Sequence, residues 1–331
     1  MRYTTIPGTE LRVSVIAMGS WALAGDMAWG DQSERDSLAA ARAAVDAGIN
    51  FFDTAPGYGD GLSERRLGQG LEGVRDQVVI ATKIGPESMR AEAVAASVER
   101  SLRNLRTDYI DLLQIHWPSR EVPLAETWGA LEALRAQGKV RHLGVSNFGV
   151  LDLVDVLALG HPVTNQVPYS LLARAIEYEI APACKRAGVG LLCYSPLLWG
   201  LLAGTYQSAD EVPDGRARSR HFSPARKLIR HREPGCEQET FEAIASLRAE
   251  AGRLGVAMSD VAVAWLLHQP NVTSVLTGIR RPEQAGANAR GAALQLDADT
   301  LSRLAGATEP VKRALGKNPD LWQSGDSSRY R

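Results

Sequence analysis

Four polar residues in this chain follow hydrophobic runs closely enough to be delivered to one place: Asp53 and Tyr58 in FFDTAPGYGDGLSERRLG, Lys83 in VVIATK, and His116 in LLQIHW. Together they have the chemistry of carbonyl activation. A phenol titrates at about 10 and is a poor acid at neutral pH, but an adjacent ammonium favours the phenolate, so Lys83 is expected to lower the pKa of Tyr58. Burying that lysine is costly unless it is paired, which gives Asp53 the task of keeping it charged and oriented. His116 can donate a hydrogen bond to a carbonyl oxygen or relay the proton. No nucleophile, metal set or phosphate cradle accompanies the four, so the set protonates a carbonyl and needs a separate hydride donor.

Taken singly, each has a plainer reading: Asp53 as a turn cap, Tyr58 as a loop aromatic, Lys83 as a solvated strand end, His116 as a satisfied core histidine. The elements that carry them favour the joint reading. Short β-branched or aromatic runs, each followed by a turn and a longer Ala/Leu/Arg segment, mark eight candidate strands. They run over 13–18, 50–53, 78–83, 110–116, 140–146, 163–166, 190–194 and 274–278. Their ends recur at about the length of one βα unit until the last step, from Tyr194 to Gly278, which must hold an insertion.

Between them, SERDSLAAARAAVDAG puts Leu38, Ala41 and Val45 on one face, opens on Ser33 with Asp36 three residues on, and closes at Gly48. The segments AEAVAASVERSLRNL, PLAETWGALEALRAQG and SDVAVAWLLHQP follow the same plan. Strict β/α alternation with near-continuous apolar strands predicts a (β/α)8 TIM barrel, an open doubly wound sheet being the structural runner-up. In a barrel the second, third and fourth strands are adjacent, so the four residues would meet. RYTTIPGTELRVS, with its Pro-Gly turn, is expected to form an N-terminal hairpin plugging the barrel's bottom.

Of 331 residues, 37 are basic and 38 acidic, which gives no footing for a polyelectrolyte partner. No linker or low-complexity stretch divides the chain, so residues 1–331 read as one domain. Cys184, Cys193 and Cys236 are odd in number and not in metal-ligand spacing; they read as buried small side chains in a reducing compartment. No apolar leader region or 18-residue apolar run is present, so the protein is expected to be cytoplasmic and free of membranes.

The chain resembles the aldo-keto reductases, NADPH-dependent (β/α)8 oxidoreductases. The resemblance rests on FFDTAPGYGDGLSERRLG, the strand with Lys83, TDYIDLLQIHWP, GKVRHLGVSNF, NQVPYSLL, YSPLLWGLLAG and GIRRPEQAGANARG, and spans nearly the whole chain. It implies a catalytic tetrad of Asp53, Tyr58, Lys83 and His116, with Tyr58 the general acid in reduction. It implies that Ser146, Asn147 and Gln166 hold the nicotinamide carboxamide and that Tyr194 stacks on the ring. Ser195, Leu197 and Gly200 would follow the pyrophosphate. Gly278, Arg280, Gln284 and Asn288 would hold the adenosine phosphate end, where a helix starting near Pro282 offers its amides. Two departures stand out: Ala287 replaces a glutamate that contacts adenine in many members, and the 2′-phosphate partners are matched only by Arg280 and Arg281. NADPH is therefore the expected cofactor and NADH its alternative.

GQGLEG at 68–73 matches G-x-G-x-x-G but follows a helical segment, and is expected to be a helix end with Gly caps. The run 216–232 holds seven Lys/Arg and no acid. Without aromatic interleaving it is read as a mobile loop folding over cofactor phosphates, in preference to a solvated basic loop and, further behind, a nucleic-acid patch. Trp21 and Trp117 are expected to wall the substrate site, with Trp199 a further candidate, and the polar tail with Trp322 and Tyr330 to reach the mouth.

The function that follows is reduction of aldehydes or ketones, with the substrate a small carbonyl compound. An aldose or polyol dehydrogenase running oxidatively uses the same residues. A slow-turnover redox-sensing regulatory subunit is the alternative of a different class. Oligomerisation is compatible with the sequence but not indicated by it.

Overall fold

The structure, a computed structural model, describes residues 1–25 and 29–331. Eight parallel strands close into a barrel: β3 (Ile16–Gly19), β4 (Phe51–Asp53), β5 (Val79–Ile84), β6 (Ile110–Ile115), β7 (Val140–Ser146), β8 (Thr164–Pro168), β9 (Gly190–Tyr194) and β10 (Val272–Gly278), with β10 hydrogen-bonded to both β9 and β3. The helices α1 (Glu34–Asp46), α2 (Leu62–Gly70), α3 (Ala91–Leu105), α4 (Leu124–Ala136), α5 (Val150–Leu157), α6 (Ile180–Ala187), α7 (Glu237–Leu254), α8 (Met258–Leu267), α9 (Pro282–Ala293) and α10 (Ala298–Leu315) surround it. The long step before the last strand therefore contains an irregular segment and two helices, of which α7 lies outside the segments expected to be helical.

Strand alternation explains the two cores. Phe52, Ile80 and Leu113 face outward and pack with the helices, while Phe51, Val79, Ala81, Leu112 and Leu192 face the barrel axis. The bottom of that inner core is closed by Ile6, Leu11 and Val13. They come from the antiparallel hairpin of β1 (Tyr3–Thr5) and β2 (Arg12–Ser14), the expected plug. Full burial of each such side chain is worth about 1.5–3 kcal/mol.

The first expected strand, 13–18, is two elements. Val13 and Ser14 belong to β2, and β3 starts at Ile16. At the corner the Val15 amide donates to Arg2 O (3.1 Å), the Ser14 amide to Asn50 Oδ1 (2.6 Å) and the Ser14 hydroxyl to Ile16 O (2.6 Å), so one mostly apolar run is shared between two sheets.

Helix α1 is capped as expected, Ser33 Oγ accepting from the Asp36 amide at 3.0 Å. The 68–73 glycines only partly match their expectation. Gly73 takes a positive φ of 81°, but Gly68 and Gly70 lie inside α2, where added Cβ atoms would stand 2.7 Å from Leu105 O and 2.7 Å from Ala41 Cβ. These two are packing positions, not caps. All three cysteines are buried and unpaired, and among the described residues no helix is long and apolar enough to cross a membrane.

Candidate active site

The alternation that sends Phe51, Ala81 and Leu112 inward also sends Asp53, Lys83 and Gln114, two residues further on, to the axis at the barrel's upper end. There the fully buried Lys83 donates from Nζ to Asp53 Oδ1 (2.6 Å), Thr54 O (2.8 Å) and the Tyr58 hydroxyl (3.4 Å). Those three bonds use all the donors of the ammonium. Asp53 Oδ2 accepts from Gln166 Nε2 (2.8 Å) and Gln114 Nε2 (3.2 Å). Burial pushes the Lys83 pKa down, but Asp53 and Tyr58 outweigh it and hold the ammonium above its ordinary range. Gln114 was not among the expected site residues; its signal was the two-residue alternation from Leu112.

Tyr58 sits in the turn after β4, with its amide bonded to Ala55 O (3.1 Å). Gly59 follows with φ 62°, and a Cβ there would lie 2.7 Å from Ala24 Cβ, so the turn that presents the phenol admits only glycine next to it. The expected lowering of the Tyr58 pKa is not the net result. Burial raises it, Lys83 lowers it, Asp53 raises it again, and the balance lies above the ordinary value. The ammonium acts in the expected direction, but removal of the ring from water is the larger effect.

His116 follows β6, with its amide on Ile84 O (3.0 Å) and its ring edge-on to Tyr58, centroids 6.0 Å apart. Burial, with the Lys83 and Arg329 cations, takes its pKa down to about 3. The imidazole is neutral at physiological pH and carries one N–H donor.

Above these groups opens a cavity of about 610 Å³. Asp53, Tyr58, His116, Ser146, Asn147, Gln166, Tyr194, Ser195, Leu197, Gly200, Gly278, Arg280 and Gln284 all line it, as do Trp21 and Trp117. Lys83 lies behind Asp53 and Tyr58. Asn288, on α9, is not in the lining; its Nδ2 is buried and has no hydrogen-bond partner among the described residues. After β9 the backbone turns through left-handed conformations at Ser195 (φ 55°), Leu198 (41°), Trp199 (53°) and Gly200 (101°), strain concentrated along one wall of the cavity.

Where the resemblance places the adenosine phosphate, the rim groups already have partners within the chain. α9 does start at Pro282, but the amides of Arg280 and Arg281 already donate to Gln284 Oε1 (2.9 and 3.1 Å). The Arg280 guanidinium donates to Gln32 Oε1 (3.0 Å), Asp31 O (2.8 Å) and Trp29 O, tying the segment before α1 to the cavity rim. Arg281 is exposed at the same rim.

In the basic run 216–232 only Arg216 lines the cavity. Arg220 is buried on Glu233, Asn318 O and Leu315 O, and Arg226 holds Val212 O and Ala209 O. Two of the seven cations expected to cover phosphates are thus engaged in fixing the segment itself and docking it to residues 315–318. Aromatic groups complete the mouth: Trp29, missed in sequence, stands edge-on to Trp21 (5.7 Å), and Trp322 contacts Trp117 (6.5 Å) and Trp199 (5.8 Å).

The Aldo/keto reductase family model matches residues 15–309. The chain belongs to that family. Aldo-keto reductase YhdN of Bacillus subtilis (strain 168) is 37% identical over 298 residues, 86% of each chain. The NADH-specific methylglyoxal reductase of Escherichia coli (strain K12) is 33% identical, covering 92% of this chain and 98% of the relative. An aldo-keto reductase from Klebsiella pneumoniae, solved in complex with NADPH, superposes with a TM-score of 0.73 at 28% identity, covering 92% and 94% of the two chains.

As an aldo/keto reductase the protein is an oxidoreductase on a TIM barrel. Ala287 precedes Asn288, whose buried Nδ2 has no hydrogen-bond partner among the described residues.

Proposed function

We propose that this aldo/keto reductase reduces small aldehydes or ketones with a nicotinamide dinucleotide, and that Tyr58 is its proton donor. The observation that carries this reading is the buried Asp53–Lys83–Tyr58 chain of hydrogen bonds, ending on a phenol that faces the cavity beside a neutral imidazole. Cofactor use is supported by the fit of the site: a cavity lined by Ser146, Asn147, Gln166 and Tyr194 on one side and by Arg280, Arg281 and Gln284 at its rim.

When bound, the reduced nicotinamide supplies a hydride to the carbonyl carbon. The chain's own groups manage the proton. His116 donates its single N–H to the carbonyl oxygen, orienting it toward Tyr58. The phenol transfers its proton to that oxygen, and Lys83, held charged by Asp53, stabilises the phenolate left behind. The raised Tyr58 pKa keeps the acid loaded before substrate arrives. Ser146, Asn147 and Gln166 are assigned to the carboxamide, Tyr194 to the ring, Ser195, Leu197 and Gly200 to the pyrophosphate, and Gly278, Arg281, Gln284 and Asn288 to the adenosine end. Arg280 holds the rim. Trp21 and Trp117 form the substrate wall.

The NADH-specific and NADPH-bound relatives both match at comparable identity, so both donors belong in the test. Fluorescence titration of the purified protein with NADPH and NADH, followed by oxidation with aldehydes, ketones, α-oxoaldehydes and aldoses, decides. Tight binding with turnover on a carbonyl panel is the expected result; tight binding without turnover would instead support a redox-sensing subunit.

A further inference from the structure

The side chain of Asn147 has no hydrogen-bonding capacity left over. It sits past the end of β7 at φ 61°, a left-handed conformation that asparagine tolerates. Its Nδ2 donates to His116 O (3.0 Å) and Ser146 Oγ (3.0 Å). Its Oδ1 accepts from the hydroxyls of Tyr194 (2.9 Å) and Tyr330 (2.6 Å). Two donors and two lone pairs are thereby filled. Burial raises the pKa of both phenols, so both remain donors across the neutral range.

The two hydroxyls are not equally free to leave. Tyr330 lies between two anchored residues. Before it, Arg329 makes paired bonds to the fully buried Asp320 (2.8 and 2.8 Å), stacks on Trp117 at 3.5 Å, and offers its carbonyl to Arg120 (2.6 Å). After it, Arg331 takes the Leu151 amide on its carbonyl (2.9 Å) and donates its own amide to Asp152 (2.9 Å). Its carbonyl lies 2.0 Å from where a Cβ on Gly149 would be, so only glycine admits the tail there. Tyr194, by contrast, ends β9 with a half-buried ring in the cavity wall.

We propose that Tyr330 is a positioning residue of the nicotinamide site: its hydroxyl holds the Asn147 carboxamide in place, so that segment 320–331 is part of cofactor binding as well as of the cavity mouth. The inference rests on the assignment of Asn147 to the nicotinamide carboxamide under Proposed function. An incoming amide N–H takes the lone pair on Oδ1 that Tyr194 releases, while Tyr330 keeps its bond and fixes the plane of the acceptor. Cofactor affinity then depends on a residue of the tail, which sequence patterning alone places only near the mouth.

Tyr330→Phe removes one oxygen and leaves the ring 5.6 Å from Trp117, so the fold should survive, and a melting curve checks that it does. The intact protein and the variant are titrated by fluorescence quenching with NADPH, NADH, the 3-acetylpyridine analogue of the dinucleotide, which lacks the amide N–H, and 2′-phospho-ADP-ribose, which lacks the nicotinamide. The expected result is a loss of about 5- to 10-fold for the carboxamide cofactors, the size of one hydrogen bond, with less than about 2-fold for the acetyl analogue and none for the adenosine half. Equal losses for all ligands would reduce Tyr330 to a general structural role and overturn the proposal, as would unchanged or tighter NADPH binding. If the unaltered protein bound neither NADPH nor NADH, the cofactor assignment itself would fall, and this inference with it.

Discussion

The Lys83 ammonium stands 3.4 Å from the Tyr58 hydroxyl and 2.6 Å from Asp53, so it leans on the carboxylate and only touches the phenol. This asymmetry accounts for the electrostatics of the pair. In the free protein the lysine is chiefly a partner of Asp53, and the phenol keeps its proton because burial outweighs a long hydrogen bond. Negative charge developing on Tyr58 would shorten that bond, so the stabilisation is reserved for the step in which the proton leaves.

Tyr58→Phe tests that assignment most directly. Reduction should fall by a factor of about 10² to 10⁴, the usual contribution of a positioned general acid, with dinucleotide binding within a few-fold of the parent. Steady-state rates and a fluorescence titration on one preparation suffice, and activity close to the parent's would remove Tyr58 from the role.

Lys83→Met separates stability from chemistry. It strips the buried Asp53 of its counter-charge, leaving only the two glutamine amides on Oδ2. Breaking one side of a buried ion pair costs about 3–5 kcal/mol, which urea unfolding reads. Asp53→Asn in the same chain should return most of that stability while leaving reduction as poor as in the single variant. Recovery of activity in the double variant would mean that the ammonium does nothing for Tyr58.

These residues were legible because a strand's two-residue alternation and a barrel's convergence are local rules applied eight times, and Asp53, Lys83 and Gln166 obey them. Tyr58 was legible from its place five residues after Asp53 in FFDTAPGYGDGLSERRLG, the motif that carries the resemblance. The arrangement of the cavity rim was not, because it depends on contacts between Arg280 and residues 29–32, nearly 250 positions away, which no local pattern encodes. The break between β2 and β3 was hidden for a related reason: Val13–Met18 reads as one apolar run interrupted only by Ser14, and the bonds of Val15 to Arg2 and of Ser14 to Asn50 divide it. The net pKa of Tyr58 required burial, which sequence does not measure.

The histidines set a dependence on pH. His116 has a folded pKa of about 3 and His221 of about 4, against 6.5 when unfolded. Between those limits the unfolded chain binds protons that the folded chain refuses, so stability falls as pH drops below 6.5 and recovers as it rises. Each group contributes a slope of up to about 1.4 kcal/mol per pH unit. Unfolding curves between pH 4 and 7 should show the decline, and His116→Gln should flatten it. The same neutrality predicts no inflection in kcat/KM for reduction near pH 6.5; an inflection there that disappeared in His116→Gln would show that the ring titrates in the working range.

The two arginines at the rim make opposite predictions. Arg280 is already committed, with three bonds to the segment before α1 and its carbonyl taken by Gln32 Nε2 at 2.8 Å. Replacing it with alanine releases that segment and should weaken NADPH and NADH by similar factors. Among the described residues the Arg281 guanidinium has only a 3.8 Å contact, to Glu283, and it is mostly exposed, so of the two arginines it is the one with capacity to meet a 2′-phosphate. Arg281→Ala should therefore weaken NADPH by about tenfold, the usual worth of a charge-assisted bond, and NADH hardly at all. Parallel titrations of the two variants with both dinucleotides read the difference. A selective loss of NADPH in Arg280→Ala would show that Arg280 abandons residues 29–32 when the phosphate binds, and that the rim rearranges around the cofactor.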